Sequence, residues 1–302
     1  MPLQPPVKAL LIVNPNSRQG AEETLQEGVE RLREAGIEVE QVHSSSPSES
    51  HKALQSRSQE IDLVILAGGD GTISSMAETL LSCKLAFAVL PLGTANDLAR
   101  SLGVAESVDK AFSAIIANHR QRIDLGCVDG HYFFNAAQIG LGVKVTEELT
   151  DEVKKRWGVF SYLKALFAAL ARSDRFSVNV KVDGHSHWMK SMHLAVGNGR
   201  FYGGGNVICE DAYVDDGQLS VYSLKPQKVW ELLLLAPLLR TGSQQRNRRI
   251  FTARGREIEV WTRRPMAIYA DGEPVSDTPA RFRICPAALE AIMAPPSDQA
   301  CR

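Results

Sequence analysis

Two glycine-bearing loops that follow successive apolar runs constrain this chain more than any other feature. The run Leu63 to Ala67 leads into GGDGT at 68–72, and the next apolar run leads into PLGTAND at 91–97. The residues Ile73 to Ser82 between them are predicted to form a helix. This order predicts parallel strands, whose carboxyl ends share one edge of a sheet. We therefore expect both loops to lie at one ligand-binding edge.

The composition of the first loop suits an anion. Glycine allows positive φ and lets backbone N–H groups approach a ligand closely, and a following helix N-terminus favours phosphate. The alternative is a tight turn in which Asp70 or Thr72 caps the helix. The second loop at the same edge favours a nucleotide site. Neither G-x-x-x-x-G-K-[ST] nor G-x-G-x-x-G occurs at this position.

The residues before this stretch extend the same alternation. Ala9 to Val13 is a predicted strand, Leu25, Val29 and Leu32 form one helical stripe, and Ile37 to Val42 is a second strand. The turn 14–17 and the serines 44–46 follow these two strands, so Asn14, Ser17 and Ser45 are candidates to line the same cleft. A plain turn and a solvated serine loop are the alternatives.

From about Arg122 the pattern changes to short strands, several of them joined by hairpin signals such as Asp129-Gly130 and Asp183-Gly184. The predicted strands are Arg122–Val128, Tyr132–Ala137, Phe176–Val182, Trp188–Val196, Gln218–Leu224, Glu257–Thr262, Met266–Ala270 and Ala280–Cys285. We therefore predict two domains, 1–121 of the α/β type and 122–285 of the antiparallel β type.

Two helical segments interrupt the predicted β domain. The segment 159–170 follows the basic stretch 154–157. The segment 230–239 lies near the start of the stretch 229–264, which contains many arginines. Apolar faces beside cations suit contact with an anionic membrane surface, whereas the alternative is that these helices cover a sheet. The formal net charge of −1 implies no nucleic-acid partner.

The cysteines and the N-terminus indicate the cellular compartment of the protein. The five cysteines are scattered without a C-x-x-C pair, which is typical of reduced thiols in the cytoplasm. The N-terminus has no apolar signal core, and no apolar run approaches the roughly 18 residues of a spanning helix. We therefore expect a cytoplasmic protein that is soluble or peripheral.

Five short motifs in order resemble those of bacterial diacylglycerol-kinase-like lipid kinases of the YegS type, which are related to sphingosine kinases and NAD kinases and more loosely to phosphofructokinases. The motifs are GGDGT at 68–72, PLGTANDLA at 91–99, GNGRFYGGG at 197–205, DDGQL at 215–219 and DGEP at 271–274. With the turn at Asn14 they cover nearly the whole chain.

The resemblance implies a fold and an activity. The fold would be an N-terminal doubly wound parallel sheet, similar to NAD kinase and phosphofructokinase, with a C-terminal, mainly antiparallel β-sandwich, and the tail 286–302 would return to the first domain. The activity would be transfer of the γ-phosphate of ATP to a lipid primary hydroxyl, with Mg²⁺ as cofactor, at the inner face of the membrane. The oligomeric state is left open, with a homodimer as one alternative.

The resemblance also implies site residues. The nucleotide would contact Asn14, Ser17, Ser45, Gly68, Gly69, Asp70, Gly71, Thr72, Ile73, Ser74, Ser75, Gly93, Thr94, Asn96 and Asp97. Magnesium would be held by Asp216 and by the backbones of Tyr213 and Gln218. The catalytic residues would be Glu273, Asp271 and Asp70.

Phosphoryl transfer to an alcohol explains why these residue types are needed. Glu273 would accept the hydroxyl proton, with Asp271 as orienter or second acid, although Asp271-Gly272 can also be a plain hairpin turn. Asp70 is acidic where phosphate would sit, which requires an intervening metal or its waters. The chain departs from the family at Ser74-Ser75, where relatives commonly have Asn-Glu, and at 209–212. The alternatives are a kinase of a soluble substrate, like NAD kinase, and a nucleotide-binding protein without turnover.

Overall fold

The computed structural model describes residues 8–15, 22–140, 175–226 and 250–295. The predictions on Ser17, on 154–157 and on the segments 159–170 and 230–239 lie outside the described residues. The chain divides into two compact units. Unit 1 comprises Met1–Leu125, Gly203–Gly205 and Pro286–Arg302, and unit 2 comprises Gly126–Tyr202 and Asn206–Cys285.

Unit 1 alternates strands and helices, as predicted. Its elements are β1 (Lys8–Val13), α1 (Glu22–Glu34), β2 (Glu38–His43), α2 (Pro47–Arg57), β3 (Leu63–Gly68), α3 (Asp70–Ser75), α4 (Ala77–Cys83), β4 (Ala86–Pro91), α5 (Asp97–Ser101), α6 (Val108–Ala117) and the first part of β5 (Arg120–Val128). The parallel strands run in the order β2-β1-β3-β4. The final part of a later strand, β18 (Ala280–Ile292), pairs with β4 through Ala291 and Phe87.

Burial explains why the sequences of β1, β3 and β4 are continuous apolar runs. Every residue of β3 and β4 is buried, and in β1 only Lys8 is exposed. Central strands of a parallel sheet are covered on both faces, so they lack the alternation of a half-exposed strand. On α1 the predicted stripe of Leu25, Val29 and Leu32 is buried.

Unit 2 is built from antiparallel strands. They are the last part of β5, β6 (His131–Phe133), β7 (Ala136–Gly140), β8 (Phe176–Val182), β9 (His185–Ser191), β10 (His193–Gly197), β11 (Phe201–Tyr202), β12 (Asn206–Val207), β13 (Leu219–Leu224), β14 (Ile250–Gly255), β15 (Glu257–Thr262), β16 (Ala267–Ala270), β17 (Glu273–Asp277) and the first part of β18. One sheet has the order β14-β13-β10-β7-β16-β17, and the other joins β18, β15, β8 and β9.

The two sheets of unit 2 share one apolar core. Val180 and Ile258 come from one sheet, and Leu194 and Val221 come from the other. Side chains that interdigitate between two sheets define a β-sandwich. The predicted fold class, a parallel α/β part followed by an antiparallel β-sandwich, is confirmed.

Several boundaries differ from those predicted. The helix expected at Ile73 to Ser82 begins earlier, at Asp70, and is divided at Met76 into α3 and α4. The strands β14 and β17 were not predicted, and β18 continues through Pro286 to Ile292. In the part of the chain that the structure describes, no helix is both long and apolar enough to cross a membrane.

Candidate active site

The two glycine loops of unit 1 touch through their backbones. A Cβ atom on Gly93 would lie 2.5 Å from the Cα atom of Gly69, and one on Gly68 would lie 2.7 Å from the Cβ atom of Thr72. None of Gly68, Gly69, Gly71 and Gly93 has a φ in the left-handed region, so the expectation of positive φ in this loop is wrong. At Gly68 and Gly93 a side chain would come closer than 3 Å to another residue, whereas at Gly69 it would lie 3.2 Å from the Cα atom of Gly93, and Gly71 faces open space.

Asn14 joins the first strand to the glycine loop. Its backbone N–H donates to the carbonyl of Ala67, and its side-chain amide donates to the hydroxyl of Thr72 at 3.0 Å. The strand order reverses at β1, which has β2 on one side and β3 on the other. Ligands of open α/β sheets bind outside the carboxyl ends of the strands at such a point. The structure thus brings Asn14, Gly68 to Thr72 and Gly93 to one edge.

Asp70 begins α3 and also contacts the second loop. One of its carboxylate oxygens accepts a hydrogen bond from the N–H of Leu98 at 3.3 Å, in the first turn of α5. Within α3, Ile73 is buried, Ser74 is half-buried, and the hydroxyl of Ser75 donates to the carbonyl of Thr72 at 2.8 Å. The first N–H groups of a helix lack partners within that helix, so this turn can donate to an oxyanion.

Asp97 has a different environment from the one expected of a nucleotide contact. It is 4 % exposed, and its carboxylate accepts hydrogen bonds from the N–H groups of Gly204 at 2.8 Å and Gly205 at 2.7 Å. Burial raises the pKa of Asp97 above its ordinary value, the nearby Asp70 adds to this, and the two N–H groups oppose it. Asp97 therefore fastens the glycine run 203–205 to α5, a contact that no spacing in the sequence indicated.

The remaining predicted nucleotide residues serve as loop and cap residues. Asn96 has a φ of 52° and closes the second loop, because its side chain exchanges hydrogen bonds of 2.9 and 3.0 Å with the backbone of Gly93. Thr94 is exposed on the same loop. Ser45 follows the edge strand β2, and its hydroxyl donates to Glu49 of α2 at 3.2 Å.

Three Asp-Gly turns of unit 2 share one geometry. Asp129, Asp183 and Asp271 have φ values of 47°, 44° and 47°, and the glycine after each also has positive φ, which is the pattern of a type I′ hairpin. In each turn the carboxylate accepts backbone N–H groups of another segment. A hairpin at Asp271-Gly272 is present, but it joins β16 to β17 and not to the strand Ala280–Cys285, which is where the sequence placed its second strand.

Asp271 holds the segment that leads into β7. Its carboxylate accepts hydrogen bonds from the N–H groups of Phe134 at 2.8 Å, Asn135 at 3.0 Å and Ala136 at 3.1 Å. Its own N–H donates to the carbonyl of Ala136 at 2.9 Å. Both carboxylate oxygens of Asp271 are therefore engaged by backbone donors.

Glu273 lies two residues further on, at the first position of β17, opposite Ala270. Its side chain is exposed and has no hydrogen bond or ion pair with any described residue. Of the two acids in this turn, Glu273 is thus the one whose carboxylate is available to a ligand.

The predicted magnesium residues form a different arrangement. The carboxylate of Asp216 accepts the N–H groups of Tyr213 at 2.8 Å and Gln218 at 3.0 Å, and it forms an ion pair with Arg254 at 2.5 Å. Magnesium requires oxygen ligands, and a guanidinium bound to the same carboxylate would repel it. These contacts fit the arginine and do not fit a magnesium ion. Among the described residues, no cluster of three or more His, Cys, Asp or Glu side chains could hold a metal.

Comparison with known proteins identifies the family. Residues 8–128 match the model of the diacylglycerol kinase catalytic domain, and residues 136–293 match that of the YegS C-terminal NAD kinase beta sandwich-like domain. A protein of Enterobacter named "Probable lipid kinase YegS-like" is 30% identical over 95% of this chain and 96% of its own. A YegS protein of Salmonella arizonae, also named as a lipid kinase, is 30% identical with the same coverage.

Solved structures agree with this assignment. A protein described as a diacylglycerol kinase of Bacillus anthracis superposes with a TM-score of 0.83 at 25% identity, covering 97% of this chain and 96% of its own. A second structure from that organism gives 0.77 at 25% identity, covering 97% and 98%. The chain therefore belongs to the YegS-like family of diacylglycerol-kinase-type proteins and is a phosphotransferase with an alcohol group as acceptor.

Proposed function

We propose that the chain transfers the γ-phosphate of ATP to the primary hydroxyl of a membrane lipid of the diacylglycerol, phosphatidylglycerol or sphingoid type. The nucleotide would bind at the carboxyl edge of unit 1, and Glu273 of unit 2 would act on the lipid hydroxyl. Magnesium would accompany the nucleotide. The relatives named as lipid kinases support this acceptor class.

The observation that carries the proposal is the contact between the two glycine loops. Backbone approaches backbone at Gly69 and Gly93, and Asn14 meets Thr72 beside them. Because glycines form the contact, the backbones of the two loops come close together, and the N–H groups of the first turn of α3, which lack partners within that helix, can donate to a phosphate chain. The serines that replace the family's Asn-Glu pair leave these contacts intact, because Ser75 bonds within its own turn.

The proposed reaction involves the nucleotide, the lipid hydroxyl and the carboxylate of Glu273. The lipid hydroxyl oxygen forms a bond to the γ-phosphorus, the bond from that phosphorus to the β,γ-bridging oxygen breaks, and ADP leaves. The hydroxyl proton passes to the carboxylate of Glu273. Asp271 acts as a positioning residue, because its three hydrogen bonds fix the turn that carries Glu273.

Access to the lipid would take place at the surface of an anionic membrane, at its cytoplasmic face. This proposal is supported by the arginine-rich window 229–264, since basic residues near an anionic surface are attracted to it. A kinase of a soluble substrate would lack any dependence on vesicles. A nucleotide-binding protein without turnover would bind ATP and transfer nothing.

A radiolabelled-phosphate transfer assay tests the proposal. The purified chain is given labelled ATP and a panel of diacylglycerol, phosphatidylglycerol, a sphingoid base, a ceramide and NAD, and each product is identified by mass. We expect label in one or more lipids and none in NAD. Label in NAD alone, or ATP binding without any transfer, would refute the proposed acceptor.

A further inference from the structure

The loop before β13 is closed by an arginine from the neighbouring strand. β13 and β14 pair so that Ser220 lies opposite Arg254, which directs the arginine toward the loop 211–218. The Arg254 guanidinium donates to the carboxylate of Asp216 at 2.5 Å and to the backbone carbonyl of Asp211 at 3.3 Å. It thus joins two oxygens of one loop.

The two oxygens that Arg254 contacts are of the kind that a divalent cation takes. Carboxylate and backbone carbonyl oxygens are the usual ligands of Mg²⁺ and Ca²⁺. Here they meet a delocalised positive charge that is permanent at any physiological pH. The side chains of Asp216 and Arg254 are 16% and 30% exposed, so water screens this pair only in part.

The backbone of the loop is arranged around the same carboxylate. The N–H groups of Tyr213 and Gln218 both point at Asp216, and Gly217 allows the turn with a φ of 69°. The carboxylate therefore has two backbone donors and one cationic partner. A magnesium ion at Asp216 would have to displace the guanidinium or lie beside it.

The other side of the guanidinium faces a cavity. The Nε atom of Arg254 and the hydroxyl of Ser220 are buried without a partner among the described residues, and both residues line a cavity of about 250 Å³. Among the described residues, the hydrogen bonds of the Arg254 guanidinium are therefore made to the loop 211–218 alone.

We infer that the guanidinium of Arg254 takes the place of a protein-held divalent cation at the loop 211–218. The chain thus fixes this loop with a side chain and needs no metal to do so. Magnesium in the proposed reaction would then be brought by the nucleotide alone, a consequence that rests on the proposed function.

The test measures thermal unfolding of the full chain without nucleotide or lipid, after chelator treatment, with and without millimolar MgCl₂ at matched ionic strength. The variants are Arg254→Met, which removes the charge and keeps the apolar stem, Asp216→Asn, and the double variant. Arg283→Met is the matched control, because Arg283 makes an exposed ion pair with Glu257 at 3.8 Å in the same unit.

We expect the melting temperature of the wild type and of Arg283→Met to be unaffected by Mg²⁺. Arg254→Met should melt lower, and Mg²⁺ should raise its melting temperature in part, because the freed carboxylate and carbonyl then bind the ion. The double variant should not respond. A folded Arg254→Met that ignores Mg²⁺ would overturn the inference.

A calorimetric titration of Mg²⁺ into the wild type decides the matter even where Arg254→Met fails to fold. The absence of a binding isotherm supports the arginine-held loop. An isotherm that disappears in Asp216→Asn contradicts it, since the loop would then bind a metal despite Arg254. Neither measurement involves phosphoryl transfer, so failure of the inference is distinguishable from failure of the proposed function.

Discussion

The substitution Asp271→Asn tests whether the carboxylate of Asp271 stabilises the segment 134–136. The Asp271 carboxylate accepts three backbone N–H groups, with one oxygen taking Asn135 and Ala136 and the other taking Phe134. In Asp271→Asn the remaining oxygen can still accept two donors. The new amide group, however, faces the N–H of Phe134, a buried residue, and removes the hydrogen bond of that N–H to Asp271.

The magnitude follows from this single lost bond. A hydrogen bond to a charged acceptor contributes about 1.5–3 kcal/mol, so we expect Asp271→Asn to lower the free energy of unfolding by about that amount. For a chain of 302 residues, an unfolding entropy of about 2.1 cal/mol/K per residue converts this loss into a fall in melting temperature of roughly 2–5 °C. Scanning calorimetry measures it.

Asp183→Asn is the matched control, because Asp183 occupies the same kind of turn. One oxygen of Asp183 accepts the N–H groups of both Arg256 and Glu257, at 3.0 and 2.9 Å, so an asparagine keeps both bonds. We expect this variant to lose no more than about 1 kcal/mol. Equal melting temperatures for Asp271→Asn and Asp183→Asn would refute the structural role of Asp271.

Three further predictions concern charge. Asp70→Asn should abolish transfer while the melting temperature changes little, because the side-chain oxygen can still accept from Leu98; an active variant would contradict the role of its charge. His193, whose pKa is lowered by burial to about 4, is neutral in the folded chain, so the unfolded chain binds the proton first as pH falls below 6.5. The free energy of unfolding of the wild type should therefore fall as the pH is lowered from 6.5 to about 4. This fall should exceed that of His193→Gln by on the order of 3 kcal/mol in acid unfolding measurements. Parallel curves for the two proteins would contradict this. Binding to anionic vesicles should weaken with salt and on charge reversal at Arg248 and Arg249, which lie outside the described residues, because each basic residue gains about 1 kcal/mol near such a surface; cosedimentation that ignores both would place the membrane contact elsewhere.

The sequence predicted the larger features because they rest on local patterns. Apolar runs such as Leu63 to Ala67 are buried strands, and the hairpins at Asp129 and Asp183 are present. The strand β17 escaped prediction because its five residues, Glu273–Asp277, include a proline and two acids and show no apolar alternation. Its strand character comes from pairing with β16, which is a tertiary effect.

Contacts between distant residues could not be read from the chain. The family resemblance predicts a nucleotide contact for Gly93, whereas in the structure glycine is needed there because of the approach of Gly69, 24 positions away by the numbering. Asp97 meets Gly204 and Gly205, more than a hundred positions later. Arg254 meets Asp216 only because β13 and β14 pair in one register. Such partners depend on the fold, so the family resemblance alone assigned ligands to Gly93, Asp97 and Asp216.

The substitution Glu273→Gln tests whether Glu273 is the general base of the transfer. Glu273 is exposed at the start of β17, so Glu273→Gln should fold normally and keep its affinity for ATP, as measured by calorimetric titration. Glutamine cannot accept a proton, so single-turnover transfer to the best lipid should slow by roughly 10²- to 10⁴-fold, the range for loss of a general base. Wild-type turnover by Glu273→Gln would show that Glu273 is not the general base.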